Sequence, residues 1–269
     1  MSLTATTLGT RAGAADSDGA APLVQAAADE HDGADCVVPD PGQQTPTSLL
    51  PDPFRKLDGT RVSAQSDWRC RRAEIKELAE RFVYGEKPDA PDSVTGTVSS
   101  TGITVNVTDQ GRSSSFSASV SLPSGSGPFP AVIVFGGMGA DTATIRSSGA
   151  AVINFDPYTV GREGTARNNK QGAFYSIYGS TSSTGLLMAW SWGVSRIIDV
   201  IEQSGSNVLT ADATGVTGCS RFGKGALVAG AFDQRNRADH ADRVGYRWRS
   251  HLPRDPRGER LAAAEQRLR

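Results

Sequence analysis

The sequence predicts an α/β fold: a three-layer sandwich with helices covering a sheet that starts antiparallel and continues parallel. Three observations carry this. Early strand signals alternate apolar and polar residues, two later segments are apolar throughout, and helical periodicity appears among the later strands. Ile103, Val105 and Val107 alternate with polar residues, as do Phe116, Ala118, Val120 and Leu122. The turn at Asp109-Gln110-Gly111 separates the two runs. That pattern suits antiparallel strands with one wet face. Ala131 to Phe135, ending in Gly136-Gly137, and Ala150 to Phe155 are uninterrupted apolar runs, expected as central strands covered on both sides.

Helices are expected in three places. In Ala73 to Phe82, the residues Ile75, Leu78, Ala79 and Phe82 share one face, and Gly85 stands where a helix would stop. Thr184 to Glu202 carries a buried stripe of Trp190, Val194, Ile197, Ile198 and Ile201. A short strand, Thr214 to Thr217, leads into Gly218, and Gly225 to Phe232 follows as a buried helix.

The flanks differ in character. Residues 1–35 are rich in Ala, Gly, Asp and Thr without periodicity and are expected to be disordered or wrongly joined. Pro39 to Pro53 contains five prolines and reads as an extended lead-in. Residues 235–269 hold ten arginines and no lysine, so a domain of residues 36–235 is expected, followed by an unrelated tail at 236–269.

The 269 residues carry a net charge of −1, which gives no basic excess for a nucleic-acid partner. No apolar run approaches the roughly 18 residues of a membrane span. Met1 to Ala15 lack the basic start and apolar stretch of an export signal. Three cysteines, Cys36, Cys70 and Cys219, are too few for a disulfide scaffold and leave at least one thiol unpaired within the chain. Asn106-Val107-Thr108 is a glycosylation sequon if the protein is secreted, or a chance match on a strand.

The chemistry concentrates at Gly218-Cys219-Ser220-Arg221-Phe222-Gly223-Lys224-Gly225. A serine on a tight turn between a buried strand and a helix is a nucleophile elbow. The turn exposes the hydroxyl, and the helix N-terminus behind it offers backbone N–H groups and a positive dipole to an oxyanion. Gly218, Gly223 and Gly225 allow strand and helix to approach closely. Phe222 stands two residues after the serine, where a glycine is usual, so a glycine-rich turn that merely packs a helix competes with the nucleophile reading. A phosphate loop is disfavoured by the glycine spacing before Lys224.

Gly218-Cys-Ser-Arg-Phe-Gly-Lys224 resembles the Gly-Cys-Ser-Arg-x-Gly-Lys motif of the glucuronoyl esterases, carbohydrate esterase family fifteen. So do Asp67-Trp-Arg-Cys-Arg-Arg-Ala-Glu-Ile75, Tyr84-Gly85, Phe129-Pro-Ala-Val-Ile133, Phe174-Tyr175 and Ala189-Trp-Ser-Trp-Gly-Val-Ser-Arg196, over roughly residues 36–235. The resemblance, strongest for fungal members, implies an α/β-hydrolase that needs no cofactor or metal. Its substrate would be the ester between lignin alcohols and the 4-O-methyl-glucuronic acid of glucuronoxylan. It implies Ser220 as nucleophile, Arg221 as oxyanion stabiliser, Lys224 as a ligand of sugar hydroxyls, a Cys36–Cys70 disulfide, and a secreted monomer. Another carbohydrate esterase, such as an acetyl xylan esterase, is the nearest enzymatic alternative.

In that family a catalytic Glu and His follow the serine, whereas His240 and His251 stand in no family-like context. Reading Asn236 to Trp248 with suitable synonymous codons and skipping one base gives Ile-Ala-Leu-Thr-Met-Pro-Thr-Glu-Ser-Gly-Thr-Gly-Gly. That Glu falls at Arg243, 23 positions past Ser220 (243 − 220). A frameshift near Arg235 is therefore expected, making the protein as written an incomplete hydrolase and an inactive fragment. Exposed apolar surface at Ala131–Phe135 and Gly225–Phe232 is expected to accompany it.

Overall fold

The computed structural model describes residues 30–44, 47–137 and 139–242, the last six by backbone alone. Seven strands form one sheet: β1 (Ser93–Val98), β2 (Gly102–Asp109), β3 (Arg112–Ser121), β4 (Phe129–Phe135), β5 (Ala151–Phe155), β6 (Leu209–Cys219) and β7 (Asn236–Asp242). Their order is β1-β2-β3-β5-β4-β6-β7. The first three strands and the β3–β5 pair are antiparallel, and β5-β4-β6-β7 are parallel. This is the predicted change of character, from one-sided meander to covered centre. The β2–β3 turn puts both Gln110 (φ 52°) and Gly111 (φ 72°) in the left-handed region, as a two-residue hairpin loop requires.

Among the described residues, five α-helices accompany the sheet: α1 (Gln65–Ala79), α2 (Thr142–Ser147), α3 (Ala173–Tyr178), α4 (Leu186–Gln203) and α5 (Arg221–Phe232). The stripe predicted on α4 is fully buried, along with most of the helix. Such a helix lies inside the core rather than on it. The apolar segments predicted to be exposed are instead covered. Ile133, Val134 and Phe135 are buried, as are Val228 and Phe232, and Leu227 is the exposed exception among the large apolar side chains of α5.

The first helix differs from its prediction at both ends. It starts at Gln65, where Asp67 accepts the Ser63 and Ala64 amides, and it continues as a π-turn over Glu80–Tyr84. A π-turn inserts a residue into the helical repeat. Phe82 consequently leaves the predicted stripe and is 46% exposed. The buried pair on α1 is instead Arg71 with Glu74, joined at 2.7 Å. Cys70 on the same helix is disulfide-bonded to Cys36. β1 was not foreseen, because Gly96, held there by the close approach of Thr104 and Val200, stands between Val94 and Val98 where an alternating strand would show an apolar residue.

The expected disordered lead to residue 35 fails over its last six positions. Residues 30–35 form a turn in which Glu30 is 5% exposed. Its carboxylate meets Lys87 Nζ at 2.8 Å, Arg235 Nη2 at 3.2 Å and the Arg196 guanidinium. Arg235 also reaches Asp199 at 2.7 Å, Asp233 at 2.8 Å and Glu202 at 3.0 Å. Burial alone would raise the Glu30 pKa, but Lys87, Arg196 and Arg235 together hold it well below the usual carboxylate range. A lowered folded-state pKa gives stability that is full above the unfolded pKa and lost as pH falls. Glu30→Gln is expected to cost about 3–5 kcal/mol near neutral pH by stranding buried cations. In urea unfolding, the gap from wild type should narrow between about pH 5 and pH 2. A gap that stays constant across that range would contradict this account.

Candidate active site

β6 ends at Cys219, α5 begins at Arg221, and Ser220 forms the bend between them. Its backbone sits at φ 59°, ψ −116°. A non-glycine residue in such a conformation is strained by about 1–3 kcal/mol and persists only where its surroundings enforce it. The serine is exposed. The first helical bond runs from the Lys224 amide to the Ser220 carbonyl at 3.1 Å. The amides of Arg221, Phe222 and Gly223 therefore have no acceptor one helical turn back and belong to the positive end of α5.

Close approach fixes the bend. A Cβ on Gly218 would lie 2.7 Å from the Phe222 backbone, and one on Gly225 would lie 2.9 Å from the Phe135 ring. Gly136, at the end of β4, has φ 64°, and a Cβ there would fall 2.4 Å from the Phe222 ring. This explains the phenylalanine that departs from the usual elbow spacing. Its ring is buried and stands 5.6 Å from Trp190 and 5.8 Å from Tyr158, centroid to centroid. Trp190 Nε1 in turn donates to the Gly161 carbonyl at 2.7 Å. The space that a glycine at 222 would give up is supplied here by Gly136.

A cleft of about 720 Å³ opens over this floor, lined by Ser220, Arg221, Tyr158, Asn154, Gly136 and Gly137 among others. Arg221 Nη1 donates to Glu163, which also accepts the Tyr158 hydroxyl at 2.7 Å. The bond from Tyr158, with the Arg221 charge and despite slight burial, holds the Glu163 carboxyl below its usual range. The bond to Glu163 raises Arg221 further above its already high value. A second hollow, about 700 Å³, borders Glu30, Arg196 and Arg235; Glu30 pairs with both guanidiniums, and Asp199 pairs with each of them as well.

Of the predicted site residues, Ser220 and Arg221 share the cleft, while Lys224 is half-buried one turn along α5 and is not among the lining residues. Cys219 lines the cleft as a free thiol. Asn106 is exposed on β2, opposite Ser115 of β3. Among the described residues, no histidine lines the cleft. His240 pairs in register with Thr217, and Arg243 and His251 lie outside the described residues. Glu163 and Tyr158 were not anticipated: they lie 58 and 63 positions before Arg221 (221 − 163, 221 − 158), and no motif spacing links them to it.

A family model described as fungal glucuronyl esterase matches residues 105–238, the stretch that carries the elbow. The 4-O-methyl-glucuronoyl methylesterase of Podospora anserina is 42% identical over 197 residues. The chain belongs to the glucuronoyl esterase family. The corresponding methylesterase of Thermothelomyces thermophilus is 43% identical over 202 residues. These alignments cover 72% and 74% of this chain but 40% and 50% of the relatives, so the chain spans about half their length. The crystal structure of the Sporotrichum thermophile glucuronoyl esterase superposes with a TM-score of 0.68 at 41% identity, covering 75% of this chain and 54% of that one. A mutant of that enzyme, in complex with methyl 4-O-methyl-β-D-glucopyranuronate, gives 0.71 at 39% identity, covering 78% and 57%. The α/β-hydrolase fold of this glucuronoyl esterase relative follows from the same superpositions.

The interlock between Gly136 and Phe222 is directly testable. Gly136→Ala should destabilise the protein by about 1–3 kcal/mol in chemical denaturation, through backbone strain and overpacking. The same substitution in a Phe222→Ala background should cost less, leaving mainly the strain. Equal costs in the two backgrounds would mean that the ring does not set the approach.

Proposed function

We propose that the site is built for serine-type hydrolysis of an ester of 4-O-methyl-glucuronic acid, of the kind that joins glucuronoxylan to lignin alcohols. The single observation that carries this is the strained, exposed Ser220 at the head of α5, beside Arg221 in an open cleft. Ser220 Oγ attacks the uronate carbonyl, and its proton passes to a base. The developing oxyanion is met by the Arg221 guanidinium and the amides at the start of α5. The alcohol leaves with a proton, and water then cleaves the acyl-serine to release the acid. Lys224 is assigned to sugar hydroxyls.

The base and its orienting carboxylate are assigned to sequence that a restored reading frame after Arg235 would encode. β7 supports that assignment. It lies parallel to β6 with the sequence Asn-Arg-Ala-Asp-His-Ala-Asp, whereas β4 and β5, at the centre of the same parallel sheet, are strongly apolar. A strand of such a sheet ordinarily reads as an apolar run, and the shifted frame, with suitable synonymous codons, would supply Ile-Ala-Leu-Thr-Met-Pro from position 236. The Cys36–Cys70 disulfide and the exposed sequon at Asn106 favour an oxidising, secretory compartment.

Purified protein with the sequence as given is expected to hydrolyse a glucuronate alkyl ester no faster than its Ser220→Ala variant. The frame-restored form should hydrolyse it, with Ser220→Ala abolishing the activity and acetylated xylan left untouched. Activity on acetylated xylan alone would overturn the substrate assignment. Sequencing genomic and transcript DNA across codon 235 tests the frame itself; an uninterrupted frame encoding Asn-Arg-Ala-Asp would reject it.

A further inference from the structure

Arg221 lines the cleft with its guanidinium already engaged at one nitrogen. Nη1 is bonded to Glu163, and the Tyr158 hydroxyl holds the same carboxylate at 2.7 Å. Glu163 stands on the segment that follows β5 and the short turn Pro157–Thr159, while Arg221 stands at the start of α5. Two separate parts of the chain thus meet at the wall of the cleft. We propose that Glu163, oriented by Tyr158, is a positioning residue that holds Arg221 and competes for it with the carboxylate that ester hydrolysis creates. This rests on the uronate-ester reading above.

The chemistry gives the pair a task. The ester that enters is uncharged at its carbonyl. Hydrolysis breaks the acyl C–O bond; the acyl carbon gains hydroxyl from water, and the alcohol gains hydrogen. The new acid then loses its proton at neutral pH, so a full negative charge appears beside a permanent cation. An unpartnered guanidinium would bind that carboxylate in a bidentate fork and retain the product. Glu163 already occupies one donor of the fork, and its charge disfavours a second carboxylate alongside. It has little effect on a neutral ester. Because both side chains are well exposed, at 57% for Arg221 and 40% for Glu163, the competition is mild and reversible.

The test needs no turnover. The Arg221 Nε–H resonance, assigned by its loss in Arg221→Lys, is followed by ¹⁵N NMR while the protein is titrated with glucuronate and, separately, methyl glucuronate. Glu163→Gln retains an acceptor for Tyr158 but removes the charge. It should bind glucuronate about threefold more tightly than wild type, with methyl glucuronate affinity unchanged and the gain shrinking at high salt. Glu163→Asp, which keeps the charge, should stay near the wild-type ratio of the two affinities. An acid-to-ester affinity ratio identical in wild type and Glu163→Gln would overturn the inference while leaving the uronate reading intact. If neither ligand perturbs Arg221 in any of these proteins, the uronate reading falls and the inference falls with it.

Discussion

The contact between the Phe222 ring and the backbone at Gly136 is the constraint on which the rest of the site depends. It brings the end of β4 and the first turn of α5 to a separation that no side chain at position 136 would permit. Trp190 and Tyr158 close around the same ring, so the central strands, the longest helix and the loop after β5 all converge beneath one serine. Packing of this density transmits displacement rather than absorbing it. The bend at Ser220 is therefore held by the hydrophobic core itself, and the cleft inherits the rigidity of its floor.

The parts of this architecture that were legible in the sequence are those with a local period. Val105 and Val107 announce a one-sided strand, Ala131 to Phe135 a covered one, and the α4 stripe from Trp190 to Ile201 a buried helix. The elbow was legible because its glycines must cluster within a few positions of Ser220. Other features have no local period. Glu30 sits among polar residues and gains its meaning only from Arg196 and Arg235, 166 and 205 positions away. Glu163 becomes interesting only once the fold sets it against Arg221. The early start of α1 was hidden by its charged Asp67-to-Arg72 stretch, which serves capping, ion pairing and a disulfide rather than an apolar face. Phe222 is the intermediate case: its presence was visible as an irregularity, and its explanation lay on a different strand.

Polar interactions and apolar packing divide the labour. The core holds the sheet and the elbow, while ion pairs tie residues 30–35 to α1 and to the body, with Asp32 and Asp35 on Arg69, Asp32 also on Arg72, and Glu30 on its three cations. Breaking buried pairs such as those at Glu30 is costly because it strands a charge, even where the intact pairs add little net stability over apolar packing. Their arrangement here joins residues 30, 87, 196 and 235, which lie in four separate regions of the chain.

The left-handed backbone at Ser220 has a consequence for how this family member can change over time. A glycine would adopt φ 59°, ψ −116° with less strain than any residue bearing a Cβ. The substitution that relaxes the fold at this position is thus also one that deletes the hydroxyl proposed as its nucleophile. Selection for thermal robustness alone would favour the residue without a hydroxyl, so a serine at such a bend is kept only where the chemistry proposed for it outweighs the gradient of stability.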